Sequence, residues 1–266
     1  MSPIGQNFTE RELPALTRLP RPVFVRLETL PAGSRTRVHS HPWGQFTYAS
    51  KGVLEVSAAS GSHVAPPDRA VWIPPDTEHC VTNSAEAEMR SLYVDASAVA
   101  GPAWGRCKVL EVTPLMCELL QAVSRIPAEY SEDGPEARLV GVLLDQMEGL
   151  PEVDFSLPFP SDERLRRVCQ ALKDHPDDKR TRAQLAHDAG ISDKTLIRLF
   201  QRETGLSFRD WRQRLRLLLS LTALAEGQSV TAVALDAGYE STSAFIAAFR
   251  KRFGRTPGEF FARTGS

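Results

Sequence analysis

This chain of 266 residues has no membrane-length apolar run and no paired-cysteine motif. No apolar stretch approaches the ~18–20 residues that a bilayer crossing needs. The four cysteines, Cys80, Cys107, Cys117 and Cys169, form no Cys-x-x-Cys pair and read as small apolar residues of a reducing compartment. The stretch MSPIGQNFTERELP lacks the basic-then-apolar pattern of a signal segment. These absences lead to the expectation of a cytoplasmic protein. An excess of one charge is missing too, since 32 Lys+Arg against 33 Asp+Glu leave a formal net charge of −1.

That balance hides an asymmetry. Residues 1–159 hold 13 Lys+Arg and 20 Asp+Glu, whereas residues 160–266 hold 19 and 13. A basic half joined to an acidic half points to one polyanion-binding domain and one domain with another task. The length fits about two domains.

Local patterning divides the chain in the same way. Runs such as Val23–Leu27, Gln45–Tyr48, Val53–Val56 and Ala70–Ile73, separated by Pro- and Gly-bearing turns, predict a β sandwich or barrel over residues 20–98. Two helices are expected over 113–126 and 135–150, the first opened by Thr113 as cap and Pro114 at the first helical position. Pro151, Pro158 and Pro160 exclude helix from the next stretch and mark a domain boundary. From Ser161 onward the pattern is helical.

The helical half contains an internal repeat. Ala186-x-x-Ala189-Gly190 leads to Phe200, Gly205 and Trp211, and Ala234-x-x-Ala237-Gly238 leads to Phe249, Gly254 and Phe260. The intervals agree apart from one extra residue between Gly238 and Phe249. Thr181 and Gln184 form a predicted capping box. Gly190 and Gly238 suit a left-handed helix end, and Ser192, Ser229 and Ser241 suit N-caps. Leu196, Leu199 and Phe200 share one helix face, as do Phe245 and Phe249. Each copy therefore reads as helix–turn–helix, a unit whose second helix enters the major groove in DNA binders. One long helix over 207–225 separates the copies.

The segment from Gly238 to Phe261, GYESTSAFIAAFRKRFGRTPGEFF, resembles the signature of the AraC/XylS family of bacterial transcription regulators, and the resemblance spans roughly residues 160–262. It implies two recognition helices in successive major-groove segments of a double-stranded DNA operator, with RNA polymerase and a second copy of the chain as further partners. Carried over by position, the base-facing residues are Lys194, Ile197 and Arg198 in the first helix and Thr242, Ser243, Ala244 and Ala247 in the second. Arg198 suits a bidentate contact to guanine, and the alanines offer methyl contacts to thymine. Arg250, together with Lys251 and Arg252, suits phosphate contact.

In the β half, His39 and His41 are two residues apart and so face one side if they lie on a strand. Gln45 and Gly52 follow. Further on stand Pro74, His79 and Asn83. This arrangement resembles the paired motifs of cupins, small β-barrels. Gln45 stands where the cupin pattern has Glu, and Asp68 and Asp76 stand where glycines are usual. The resemblance implies that His39, His41, Gln45 and His79 converge at the barrel mouth, where imidazoles suit Zn, Ni, Fe or Cu. Three readings stay open: a divalent metal site, a metal-free pocket for an organic effector, and histidines satisfied within a barrel. Trp43, Tyr48 and Trp72 are candidate pocket walls. His63, in an expected turn at Gly61-Ser-His63, and His175 and His187 receive no role.

The expected architecture is α+β and multidomain. It comprises a cupin-like β-barrel sensing domain (1–105), a helical connector with a role in dimerisation (106–158), and an all-α double helix-turn-helix domain (159–263). The expected function is transcription control modulated by a small molecule or metal, with no enzymatic activity. The competing readings are a metal-dependent cupin enzyme fused to a DNA-binding domain and a structural nucleoid protein. Against the last, the modest charge of the basic half favours targeted binding over sequence-blind coating.

Overall fold

The computed structural model describes residues 8–13, 15–99 and 101–262. Residues 1–7 of the first expected domain and residue 263 of the last lie outside the described residues. Contacts divide the chain into two units, one of Thr9–Ala59 and His63–Ser156, the other of Ser60–Ser62 and the residues from Leu157 onward.

The first unit is built on two sheets. One orders its strands β1 (Thr9–Arg11), β3 (Ser34–Thr36), β8 (His79–Asn83), β5 (Leu54–Ala58) and β6 (Gly61–Ala65). The other runs β11 (Glu152–Val153), β10 (Lys108–Glu111), β7 (Arg69–Ile73), β4 (Gly44–Lys51), β9 (Ala87–Val94) and β2 (Val23–Leu30). In β4 the side chains alternate between two environments, as strand geometry requires. Phe46 and Tyr48 join Ala70, Trp72, Leu92, Val94 and Leu110 in a core shared with helices α1 (Pro114–Val123) and α2 (Pro135–Glu148). Gln45 and Thr47 take the other face, opposite Ile73, Tyr93 and Ser91 of the neighbouring strands. The sheet therefore has a helix-covered outer face, and Gln45, Thr47 and Ser91 place polar groups among the apolar residues of its inner face.

Turn chemistry explains the strand boundaries. Gly52 sits at φ 83° between β4 and β5, and a Cβ there would come within 2.5 Å of the Glu86 carbonyl oxygen. Asp68 and Asp76 adopt φ 65° and 56°, the left-handed conformation for which the cupin pattern uses glycine. Asp tolerates that region better than most residues because its short polar side chain bonds locally.

Two local expectations change. His63 lies in strand β6 and is buried, because the turn before it is confined to the two residues between β5 and β6. The stretch 106–158 is not purely helical. It supplies β10, which pairs with β7, and the short strands β11 and β12 (Ser156–Pro158). Prolines at 151 and 158 block helix there without blocking edge or terminal strand positions. Thr113 does cap α1, accepting from Met116 N at 3.2 Å, with Pro114 first in the helix.

The second unit is helical: α3 (Glu163–Asp174), α4 (Arg182–Asp188), α5 (Asp193–Thr204), α6 (Phe208–Ala225), α7 (Val230–Asp236), α8 (Thr242–Phe253) and α9 (Pro257–Phe261). The sequence repeat reappears as a repeat of hydrogen bonds. Gly190 N donates to His187 O and Ile191 N to Ala186 O; Gly238 N donates to Leu235 O and Tyr239 N to Ala234 O. Both are Schellman closures around a left-handed glycine. The extra residue of the second copy is Glu240, placed in the turn ahead of the Ser241 cap. After each second helix a left-handed glycine, Gly205 or Gly254, leads into a further capped helix. Those helices bring Trp211 edge-on to Phe200 and Phe260 edge-on to Phe249, each pair at 5.7 Å.

Candidate metal centre and nucleic-acid interface

His39, His41 and His79 each place one ring nitrogen so that the three lie within 4.8 Å of one another. His39 and His41 are not on a regular strand, since β3 ends at Thr36 and Pro42 interrupts the run. His39 is instead held by an isolated antiparallel bridge to His79. His39 N donates to His79 O at 3.0 Å and His79 N to His39 O at 2.9 Å. That bridge brings the two ring centroids to 4.3 Å, with the rings tilted 49° to one another.

All three imidazoles are oriented the same way. Nδ1 of His39 donates to Arg37 O at 3.0 Å, that of His41 to Trp43 O at 2.8 Å, and that of His79 to Thr77 O at 2.8 Å. Fixing Nδ1–H on a backbone carbonyl leaves Nε2 as the lone-pair nitrogen, the arrangement usual for metal-bound histidine. Nε2 of His79 is buried and has no hydrogen-bond partner among the described residues. Burial pushes the His79 ring down to about 4, against an opposing contribution from the Thr77 carbonyl, and burial also lowers His39. Neutral imidazoles at neutral pH are what a divalent ion requires.

Gln45 joins the cluster through its amide oxygen, 2.9 Å from Nε2 of His41. Its nitrogen is anchored to Thr47 Oγ1 at 2.7 Å and Ser91 Oγ at 3.2 Å. Both nitrogens of His41 thus face oxygens. A half-turn of the Gln45 amide satisfies this, with the two hydroxyls donating to its oxygen and its NH2 group donating to Nε2. Gln45 thus occupies the cluster-facing nitrogen of His41.

Of the candidate walls, the structure brings only Trp43 to the histidines. Its ring stacks on His41 at 5.0 Å and 9°, and Tyr93 packs 5.8 Å from both. Nε1 of Trp43 is buried without a hydrogen-bond partner among the described residues. Tyr48 and Trp72 belong to the helix-covered core instead. Strand parity separates Tyr48 from Gln45 and was available in the sequence. Tyr93 and Ser91 were not singled out from the sequence, because they reach the site only through the β4–β9 register, Gln45 opposite Tyr93 and Thr47 opposite Ser91.

In the helical unit, Lys194, Ile197 and Arg198 are exposed on α5, opposite the buried Leu196, Leu199 and Phe200. Lys194 and Arg198 make no hydrogen bond or ion pair within the protein among the described residues. Neighbouring arginines are committed elsewhere. Arg182 clamps Asp193 at the start of α5 with contacts of 2.6 and 2.8 Å, and Arg180 spans Asp178 and Asp188. On α8, Ser243, Ala244, Ala247 and Arg250 are exposed, Thr242 is partly so, and Phe245 and Phe249 are buried. The capping box at Thr181 and the caps at Ser192, Ser229 and Ser241 are formed. Arg216, on α6, donates to Pro176 O at 3.2 Å and to Gly238 O at 3.3 Å, so it ties the approach to the first helix-turn-helix to the turn of the second. Nothing in its sequence position signals that role.

Comparison with known proteins agrees with both halves. The family model of the helix-turn-helix domain matches residues 185–263, and that of the cupin domain matches residues 26–95. The HTH-type transcriptional regulator NimR of Escherichia coli K12 is 35% identical over 226 residues, covering 85% of this chain and 82% of NimR. The arabinose operon regulatory protein of the same organism is 32% identical over 139 residues, 50% of this chain and 45% of the relative. A crystal structure of unsaturated fatty acid-bound ToxT from Vibrio cholerae strain SCE256 aligns over 90% of this chain and 94% of that chain, at 12% identity and a TM-score of 0.38.

Proposed function

Because the chain belongs to the AraC/XylS family of DNA-binding transcriptional regulators and carries a cupin domain, we propose that a divalent metal bound by His39, His41 and His79 modulates its binding to an operator. Sensing is assigned to residues 1–105 and DNA reading to residues 159–263, with 106–158 between them. The observation that carries the metal reading is the common orientation of the three imidazoles, each with Nδ1–H on a backbone carbonyl, together with the orphaned Nε2 of His79.

An all-imidazole donor set suits Zn, Ni, Fe or Cu rather than Mg or Ca. A bound ion supplies positive charge and a cross-link between the 39–41 segment and β8. Gln45 contributes a neutral oxygen and restrains His41, so selectivity rests on the nitrogens. DNA reading is assigned to Lys194, Ile197 and Arg198 as the principal discriminating set. Thr242, Ser243, Ala244 and Ala247 contribute methyl and shape contacts, and Arg250 a phosphate contact. The absence of partners for Lys194 and Arg198 among the described residues supports this assignment. Leu115 and Val142, large apolar residues exposed on α1 and α2, support pairing of two copies through those helices.

A second reading has its own observation. The unpartnered Nε1 of Trp43 beside Tyr93 suits a hydrogen-bonding organic effector against an aromatic wall. Metal analysis of purified and reconstituted protein, with His39→Ala and His79→Ala as controls, separates the two. About one ion per chain, lost in both variants, supports the metal. No ion in either preparation of the unaltered protein overturns it.

A further inference from the structure

The two helix-turn-helix units are joined through α6, which has 18 residues and so spans about 27 Å. The first unit enters α6 through Gly205 and the Ser207 cap. The second leaves it through one short turn, in which Gly227 adopts φ 80°. The bonds of that turn, Gly227 N to Leu224 O at 3.0 Å and Gln228 N to Ala223 O at 3.1 Å, close the end of α6 and reach no part of the second unit. Packing of α6 on α7 and α9 adds cohesion, but apolar contact is non-directional and does not fix an angle.

A directional brace comes from the middle of α6. Arg216 donates from Nε to Pro176 O at 3.2 Å and from Nη1 to Gly238 O at 3.3 Å. Pro176 lies ahead of α4, the first helix of the first unit, and Gly238 is the turn between α7 and α8. One guanidinium therefore spans both units. One turn earlier on α6, Arg212 donates to Arg180 O at 2.9 Å and to Asp178 O, so the 176–180 segment is itself held. All four acceptors are main-chain carbonyls, so these bonds fix backbone positions rather than side-chain rotamers. The donors of a guanidinium form a rigid planar fork, and the two carbonyls on Arg216 cannot separate without losing a bond. The missing side chain of Gly238 leaves room for the fork, since a Cβ there would lie 3.1 Å from it.

We infer that Arg216 is a positioning residue that sets the separation of the two recognition helices, and so makes the protein select operators by the spacing between their two subsites. The inference rests on the reading that α5 and α8 engage one operator together. Arg216 reads no base itself. It acts through α8, which follows Gly238 after a short turn, and through the segment that leads into α4 and α5. One added base pair moves the subsites apart by about 3.4 Å and turns them by about 35° around the duplex. Linked modules gain affinity only when both engage at once, and a stiff link forfeits that gain when the geometry no longer fits. With the brace in place, a respaced operator holds one unit only. Without it, the second unit follows its displaced subsite.

Fluorescence anisotropy of the full-length protein tests this on the operator duplex it protects and on the same duplex with one base pair inserted between the subsites. Two further duplexes carry one scrambled subsite each. The insertion should weaken the unaltered protein at least about tenfold. Arg216→Met, which keeps the apolar stem and loses the donors, should bind the unaltered duplex about threefold or more weakly, yet lose only about threefold or less on insertion. A merely structural role would weaken binding to both duplexes alike and leave their ratio unchanged. An insertion penalty in Arg216→Met equal to that of the unaltered protein overturns the inference. So does an unaltered protein indifferent to the insertion. In that case the scrambled duplexes locate the failure: loss with either one means that both units engage and only the brace is wrong, whereas indifference to one means that the two-subsite reading fails as well. Should Arg216→Met fail to fold, Arg216→Lys decides, because an ammonium lacks the fork. Its insertion penalty should fall below that of the unaltered protein, and an equal penalty overturns the inference.

Discussion

The amide oxygen of Gln45 lies 2.9 Å from Nε2 of His41, on the side of the ring opposite its 2.8 Å bond to the Trp43 carbonyl. One hydrogen bond therefore stands between the three-histidine cluster and a complete set of free nitrogens. Metal entry has to break it, and a neutral amide offers no charge in return.

Gln45→Glu should accordingly raise affinity for Zn or Ni by about 10- to 100-fold, the range in which changes beside a metal ligand act. The carboxylate keeps the contacts with Thr47 and Ser91 within reach and adds a negative charge. Competition against a chelator of known affinity measures the change, and an unchanged or weaker affinity contradicts this part of the account.

On α5, Arg198→Ala should cost about 1–3 kcal/mol at one or two operator base pairs and little elsewhere, as expected when a base contact is lost. Lys251→Ala should weaken all sequences alike and reduce the salt dependence of binding. Binding to a panel of operator variants distinguishes these patterns. A uniform loss for Arg198→Ala would assign that side chain to phosphate instead.

The two turn glycines should differ in their tolerance of a methyl group. A Cβ on Gly190 meets open space, so Gly190→Ala carries only the left-handed penalty of about 1–2 kcal/mol. A Cβ on Gly238 comes within 3.1 Å of the Arg216 guanidinium and disturbs its bonds to Pro176 and Gly238. Gly238→Ala should therefore cost about 1–2 kcal/mol more than Gly190→Ala. Denaturant unfolding measures both, and the difference should disappear in an Arg216→Ala background.

Acid should destabilise the metal-free barrel in a defined window. His63 and His79 are held near 4 by burial, whereas unfolded histidine titrates near 6.5. Between those values the unfolded chain binds more protons, so stability present above about pH 6.5 is lost as pH falls toward 4. Each ring contributes roughly 3 kcal/mol across the full window. Unfolding free energies measured from pH 7 to pH 4.5 should show this loss, and His63→Gln should remove about half of it.

The doubled helix-turn-helix was legible down to single caps because its determinants are local. Serines at N-caps, glycines at helix ends and apolar residues three and four apart each act within one turn. The barrel was legible in outline, and its three histidines were legible through their resemblance to the paired cupin motifs. What escaped depends on pairing between distant strands. Ser91 reaches Gln45 only because β4 and β9 are in register, and β10 enters the sheet from a stretch whose neighbours are helices. Arg216 was hidden for a related reason: its two acceptors are backbone carbonyls 40 and 22 residues away.

The most direct test of the central claim measures the affinity of the full-length protein for the operator it protects, by fluorescence anisotropy, with bound metal and after chelation. The account predicts a shift of at least about fivefold in either direction. The shift should be absent in His79→Ala, whose affinity should match that of the chelated unaltered protein. Equal affinity of the unaltered protein with and without the metal would contradict the claim that the histidine cluster controls DNA binding.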